Sequence, residues 1–213
     1  MTLTLTQYGV TLKRVQKTDI ELIRNWRNHQ SIRRTMAYQK TITSSQQKEW
    51  FNSINNNLNY YFLIEVDNQK IGVINCRNVN LKDQYGEGGI FIWEKKFQGS
   101  PYPLFASLSL LDYIFNVLKI GDKSFVRILS ENSIAQKYNE FLGYIQIPGQ
   151  ADNKNQWYLL TKESFNRKSE KIRKSARLFT ETDGKMKIDG SESHLNLPEV
   201  NKSLGLLIDL SNS

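Results

Sequence analysis

One cysteine, two histidines and four prolines are all that 213 residues contain of these types. A single thiol, Cys76, closes no internal disulfide. Together with His29 and His194 it makes no recognisable zinc cluster, so no metal site is expected. No apolar run reaches the roughly eighteen residues that a membrane-spanning helix needs. The stretch Met1-Thr2-Leu3-Thr4-Leu5-Thr6 alternates and has no basic segment ahead of an apolar block, so it does not read as a signal peptide. These absences suit a reducing compartment, and a cytoplasmic location with no membrane partner is the expectation.

What is present argues for a packed core. Hydrophobic residues make up 39% and aromatic residues 11%, too many for wholesale disorder. The length fits one domain with an extension. The net charge is +8, unevenly spread: +6 over residues 1–161, +5 over 162–177 and −3 over 178–213. A basic surface favours anionic partners such as phosphorylated cofactors, nucleotide sugars or nucleic acid. The bland reading is a solvated helix face. Nucleic-acid binding rests on charge alone and has no recognition motif behind it, so it is disfavoured.

Local patterns give the element order. Val10 to Val15 predicts a strand, and Ile20, Leu22, Ile23 and Trp26 repeat at helical spacing behind the N-cap oxygens of Thr18 and Asp19. Short helices follow over Gln30 to Met36 and from Thr43-Ser44-Ser45 to Asn55. Tyr60–Val66 and Lys70–Arg77 predict a hairpin around Asp67-Asn68-Gln69. Glu87–Trp93 is a further strand. Leu104–Leu118 is apolar almost all round, which suits a helix packed deep on a sheet. Ser124–Leu129 reads as a strand, Ser133–Phe141 as a helix stopped by Gly143, and Gln156–Thr161 as a closing strand. A meander mixed with crossovers predicts an α/β fold with a mixed sheet. Residues 1–161 form the expected domain. Residues 162–213 form an extension: a basic helix from Lys162 to Phe179, a polar linker from Thr180 to Ser193, and an apolar segment from Leu195 to Leu210.

Within Ser130 to Tyr144, Asn132 is followed by Ala135, Gly143 and Tyr144. That spacing resembles the last motif of the GNAT superfamily of N-acetyltransferases. The resemblance covers about residues 8–161 and implies a mixed central sheet flanked by helices, with acetyl-CoA as acyl donor and an amine as acceptor. Leu22-Ile23-Arg24-Asn25-Trp26-Arg27-Asn28-His29, then Ile32-Arg33 and Met36, then Trp50-Phe51, are similar to the bacterial enzymes that acetylate 4-amino sugars on nucleotide carriers, as in the pseudaminic acid pathway. The neighbouring acetyltransferases of protein N-termini share these features. The resemblance places Arg27, Asn28, Arg33 and Trp50 on the acceptor side; core packing is the ordinary role of Trp26, Trp50 and Phe51.

For the cofactor, the resemblance implies a pantetheine arm laid along Ile90, Phe91 and Ile92, in a gap facing Phe125–Leu129. It implies a pyrophosphate held at the turn Gln98, Gly99, Ser100 and the helix start at Tyr102 and Leu104, where backbone N–H groups are unpaired. The family's turn reads Gln/Arg-x-x-Gly-x-Gly/Ala, but here both glycines are replaced, by Pro101 and Pro103. Proline has no N–H to offer a phosphate, although it starts helices well. Asn132 is either a residue ordering the cofactor arm or a plain N-cap. The family's acid, a tyrosine seven residues after that asparagine, is Asn139 here, with Tyr138 one residue early. Tyr138 is the candidate acid, and Glu87 the candidate base, with Glu94 in reserve. The amine would attack the thioester directly. The alternatives are a catalytically degenerate fold serving as a binding or assembly module, and an acetyltransferase of a protein N-terminus. The extension either covers the acceptor site or mediates a homodimer.

Overall fold

The structure, a computed structural model, describes residues 2–190; the segment Leu195–Leu210 and His194 lie outside them. The elements run β1 (Thr4–Gln7), β2 (Val10–Arg14), α1 (Ile20–Asn28), α2 (Gln30–Arg33), α3 (Ser44–Ile54), β3 (Tyr60–Val66), β4 (Gln69–Asn80) and β5 (Tyr85–Ile92). Then follow α4 (Lys95–Gln98), α5 (Tyr102–Asp112), β6 (Lys123–Leu129), α6 (Ser133–Leu142), β7 (Ile145–Gln146), β8 (Asn155–Thr161), α7 (Lys162–Thr180) and β9 (Lys187–Asp189). Among the described residues the strands form one nine-stranded sheet in the order β7-β8-β6-β5-β4-β3-β2-β1-β9. Only β5 and β6 pair in parallel. This is the mixed α/β sheet with flanking helices expected from the sequence.

Strand alternation sorts side chains into two cores. Along β3, Tyr60, Phe62 and Ile64 join the larger core beneath α5 and α7, while Tyr61 and Leu63 join a smaller one beneath α1 and α3. The all-round apolar character of α5 has its explanation in burial, for every residue from Phe105 to Asp112 is buried. The helix then widens into a π-helical stretch, Tyr113–Leu118, closed by Lys119 in the left-handed conformation. Gly143 ends α6 at φ +104°, a conformation that favours glycine.

The region after Thr161 packs onto this body. Phe165, Ser169, Ile172 and Ala176 recur at helical spacing and are buried, and the Arg173 guanidinium bonds both oxygens of Asp112 on α5. The polar stretch Thr180–Ser193 differs from the expected linker: Lys187–Asp189 form β9, paired antiparallel to β1. β1 and β7 were also not expected. β1 is short and half polar, and β7 spans two exposed residues, so neither carries a hydrophobic signature.

Candidate active site

β5 and β6 pair over only three residues each, Tyr85–Glu87 against Lys123–Phe125. Beyond that point β5 stays paired with β4 up to Ile92, and β6 stays paired with β8 up to Leu129. The facing edges, Gly88–Ile92 and Val126–Leu129, therefore part and leave backbone groups to be satisfied from the gap. Glycines suit the fork: a Cβ at Gly88 would stand 3.2 Å from Val126, and one at Gly89 only 2.9 Å from the Asn75 amide oxygen. A cleft of about 1400 Å³ follows this gap. Ile90, Phe91, Ile92, Gln98, Gly99, Ser100, Asn132, Tyr138, Glu87, Arg27 and Trp50, all expected at the site, line it. Asn28, Arg33, Tyr102 and Leu104 do not.

The α5 end of the cleft has few anion donors. Pro101 is the N-cap of α5 and Pro103 stands in its first turn, so of the N–H groups at N1 to N3 only those of Tyr102 and Leu104 remain. The N–H groups of Gly99 and Ser100 both turn back to the Phe97 carbonyl, and the Ser100 hydroxyl does the same at 2.8 Å. Gln98 donates to the Ile92 carbonyl at 2.9 Å and so caps the end of β5. Lys95 lines the cleft, whereas Lys96 lies over the Phe97 ring. Tyr102 itself packs edge-on against Phe97, Phe105 and Phe179, and Leu104 packs against the larger core.

Asn132 accepts from the Ala135 N–H at 3.1 Å, a helix N-cap. Asn139 donates to the Ala135 carbonyl. Tyr138 reaches α5: its phenol donates to the Pro103 carbonyl at 2.8 Å and shares a 2.7 Å hydrogen bond with Ser107. Burial pushes its pKa well above the ordinary phenol value, with Ser107 opposing, so it stays a neutral donor. A second hydroxyl pair, Ser124 and Tyr144 at 2.7 Å, also borders the cleft, and sequence reasoning missed it. Burial raises Tyr144 in the same way. The Cys76 thiol is pushed up to about 12 by burial, which leaves it inert as a nucleophile.

On the opposite face of the sheet, Glu87 holds Arg77 at 3.0 Å and Arg127 at 3.4 Å. Tyr61 meets the Trp50 ring edge-on at 5.3 Å, and burial raises its pKa, with Arg77 opposing. Arg27 sits over the Phe91 ring, and its Nη1 is buried without a hydrogen-bond partner among the described residues. Burial draws its pKa down. Trp26 takes the packing role, stacked on Trp93 at 5.8 Å. Asn28 clamps the backbone of Ile42 from both sides, at 2.9 and 2.8 Å, and Arg33 binds the Thr41 hydroxyl. Both secure the loop that leads into α3. Glu94, the reserve base, accepts from Gln69 instead. Tyr61, Arg77 and Arg127 carried no sequence signal, because strand register alone brings them to Glu87.

Among the described residues, six cationic side chains line the cleft (Arg27, Arg34, Arg77, Lys95, Lys123 and Arg127) against one acid, Glu87. The described residues contain no cluster of potential metal ligands and no helix long and apolar enough to cross a membrane.

The profile of the Acetyltransferase (GNAT) domain matches residues 10–145. No curated protein matches the chain. Among solved structures, a spermidine N-acetyltransferase from Vibrio cholerae, in complex with CoA and spermine, superposes with a TM-score of 0.64 at 19% identity, covering 74% of this chain and 98% of the other. A domain from Methanocaldococcus jannaschii superposes with a TM-score of 0.62 at 22% identity, covering 71% and 97%. These likenesses are ones of fold.

Proposed function

Because the chain belongs to the acetyltransferase (GNAT) family, we propose that it acetylates the amine of a nucleotide-linked amino sugar with acetyl-CoA as donor. The observation that carries the acceptor class is the charge of the cleft, six cations against one acid. A polyamine such as the spermine bound by the Vibrio cholerae enzyme would meet like charge there. An amine on a diphosphate carrier meets opposite charge. Arg27 supports the same reading: it is half-buried, and its buried Nη1 has no hydrogen-bond partner among the described residues, which favours a ligand that supplies an anionic one.

The residues divide the work as follows. The unpaired edge of Ile90–Ile92 offers hydrogen bonds to the amide arm of the donor, and Lys95, which lines the cleft beside the start of α5, meets its phosphates. The amine nitrogen attacks the thioester carbonyl carbon and the C–S bond breaks. Glu87 takes the amine proton directly or through water, and Tyr138, a neutral phenol, donates toward the departing sulfur. That step requires Tyr138 to release the Pro103 carbonyl.

Calorimetry with acetyl-CoA, followed by a free-thiol assay across nucleotide-linked amino sugars, spermidine and peptides, tests the reading. Micromolar donor binding with turnover confined to the nucleotide sugars is the expected result. Turnover of spermidine or of peptide N-termini alone would overturn the acceptor class. The depleted N–H set at α5 favours a second reading, a fold that has lost its cofactor and serves as a binding module. It makes a distinct prediction: Pro101→Gly with Pro103→Gly leaves donor affinity unchanged, whereas an acetyltransferase gains affinity severalfold, about what one added phosphate hydrogen bond supplies.

A further inference from the structure

On the face of the sheet that carries Glu87, three aromatic side chains belong to neither core. Tyr85, Phe125 and Trp157 form a ladder across β5, β6 and β8, edge to face at 5.4 Å and 6.1 Å. The Arg127 guanidinium lies 4.9 Å over the Trp157 ring. Register ties this ladder to the reacting end of the fork, since Phe125 is paired with Glu87 and Arg127 with Trp157. Arg77, Arg127 and Lys123 stand beside it with side chains 39%, 39% and 45% exposed. Three half-open cations and a run of π-faces therefore border the single carboxylate of the cleft.

We infer that this shelf holds the carrier half of the acceptor, a planar base against Trp157 and Arg127 and its phosphates among Arg77, Arg127 and Lys123. The inference rests on the nucleotide-sugar reading and adds where the nucleotide lies. Indole and guanidinium planes both stack on bases, and Arg127 over Trp157 is such a stack already begun. Asp122 stands 3.8 Å from Lys123, so three cations face two acids, Glu87 and Asp122, and the phosphates supply the charge still unbalanced. A second copy of this chain is the poorer occupant, because a two-fold contact sets each patch against itself and would oppose its cations. With the base on the shelf, the amine of a sugar beyond the diphosphate lies toward Glu87.

The test is titration of the full chain with uridine, cytidine and guanosine diphosphates, with the donor site first saturated by coenzyme A. Trp157→Leu and Arg127→Gln are compared with wild type. Binding of one diphosphate is expected, weakened about tenfold or more in each variant, as loss of a stacked base or a phosphate contact implies. The KM for the nucleotide-linked amino sugar rises in parallel in both variants; kcat is little changed in Trp157→Leu, whereas Arg127→Gln also loosens Glu87 and is read by diphosphate affinity and KM. Arg127→Gln, a half-exposed position, keeps the test alive if Trp157→Leu fails to fold. Equal affinity in wild type and variants, or no diphosphate binding, overturns the shelf. So does a dimer in gel filtration that Trp157→Leu dissociates, since that makes the face an interface between copies. Normal acetylation with an unchanged KM in both variants sinks the shelf and spares the proposed function. Shelf-dependent diphosphate binding without transfer to any amino sugar does the reverse.

Discussion

Tyr60, Phe62 and Ile64 point from β3 into a face that α5 and α7 seal. Tyr61 and Leu63 of the same strand point into a face that α1 and α3 cover over a smaller core. The sealed face pairs Arg173 with Asp112 and Tyr138 with Ser107, and leaves Gln7 Oε1 buried without a partner among the described residues. The other face leaves the Arg27 Nη1 without a hydrogen-bond partner among the described residues, and Arg77 and Arg127 half exposed. Groups left unsatisfied or half open cost stability, and those on this second face sit where a ligand would complete them. One face contributes mostly to folding, the other mostly to chemistry.

Substitutions on each face should therefore move different observables. The largest effect belongs to Phe165→Ala, which empties a fully buried site on α7 and should cost about 3–5 kcal/mol in denaturant unfolding. Donor affinity should not change in the folded fraction. An unaltered midpoint would mean that α7 does not help to seal its face. On the other face, Glu87→Gln should lower kcat by about 10²-fold or more with the fold intact, as loss of a general base does. An unchanged kcat would reduce Glu87 to an anchor for Arg77 and Arg127.

Arg27→Met sharpens the contrast further, because it should move the two observables in opposite directions. Removing a half-buried guanidinium whose Nη1 has no hydrogen-bond partner among the described residues should raise the unfolding midpoint, while kcat/KM for an anionic acceptor falls about tenfold, the worth of a charge-assisted hydrogen bond. A fall in both would place Arg27 with the structural residues. A further effect appears only at high pH and comes from the sealed side. The Cys76 thiol ionises near its ordinary value in the unfolded chain and at about 12 in the fold. Between those values the folded state holds the extra proton, so stability declines as pH rises from about 9 to about 12. Cys76→Ala should flatten that part of the decline, measured as unfolding midpoints against pH.

The sequence carried the fold wherever burial imposes a period. The apolar helix at α5, the β3–β4 hairpin and the Gly143 stop all appear at the expected places. β1, β7 and β9 did not, because strands of two to four residues take their structure from the neighbour they pair with rather than from their own composition. The site was legible in part. Glu87, Tyr138, Arg27 and Trp50 line the cleft as expected. Asn28 and Arg33 instead fasten a loop, and a polar residue beside a ligand looks no different in sequence from one beside a carbonyl. Arg77, Arg127 and Tyr61 escaped notice because they are fifty residues and more apart at the extremes and meet only through register across β3, β4, β5 and β6.

One contact fixes the geometry on which all of this depends. The sheet amounts to two plates joined at a short seam, and Gly86 lies in that seam, in register with Ser124. A Cβ at Gly86 would fall 2.5 Å from the Cys76 sulfur. A larger residue at Gly86 would press on β4, where Cys76, Val79 and Arg77 are its nearest neighbours, and so disturb the β4–β5 pairing beside the seam. The chain's lone cysteine, idle as a reagent, therefore serves as packing: it leaves room for no side chain at position 86 and so keeps β4 close behind the strand that meets β6.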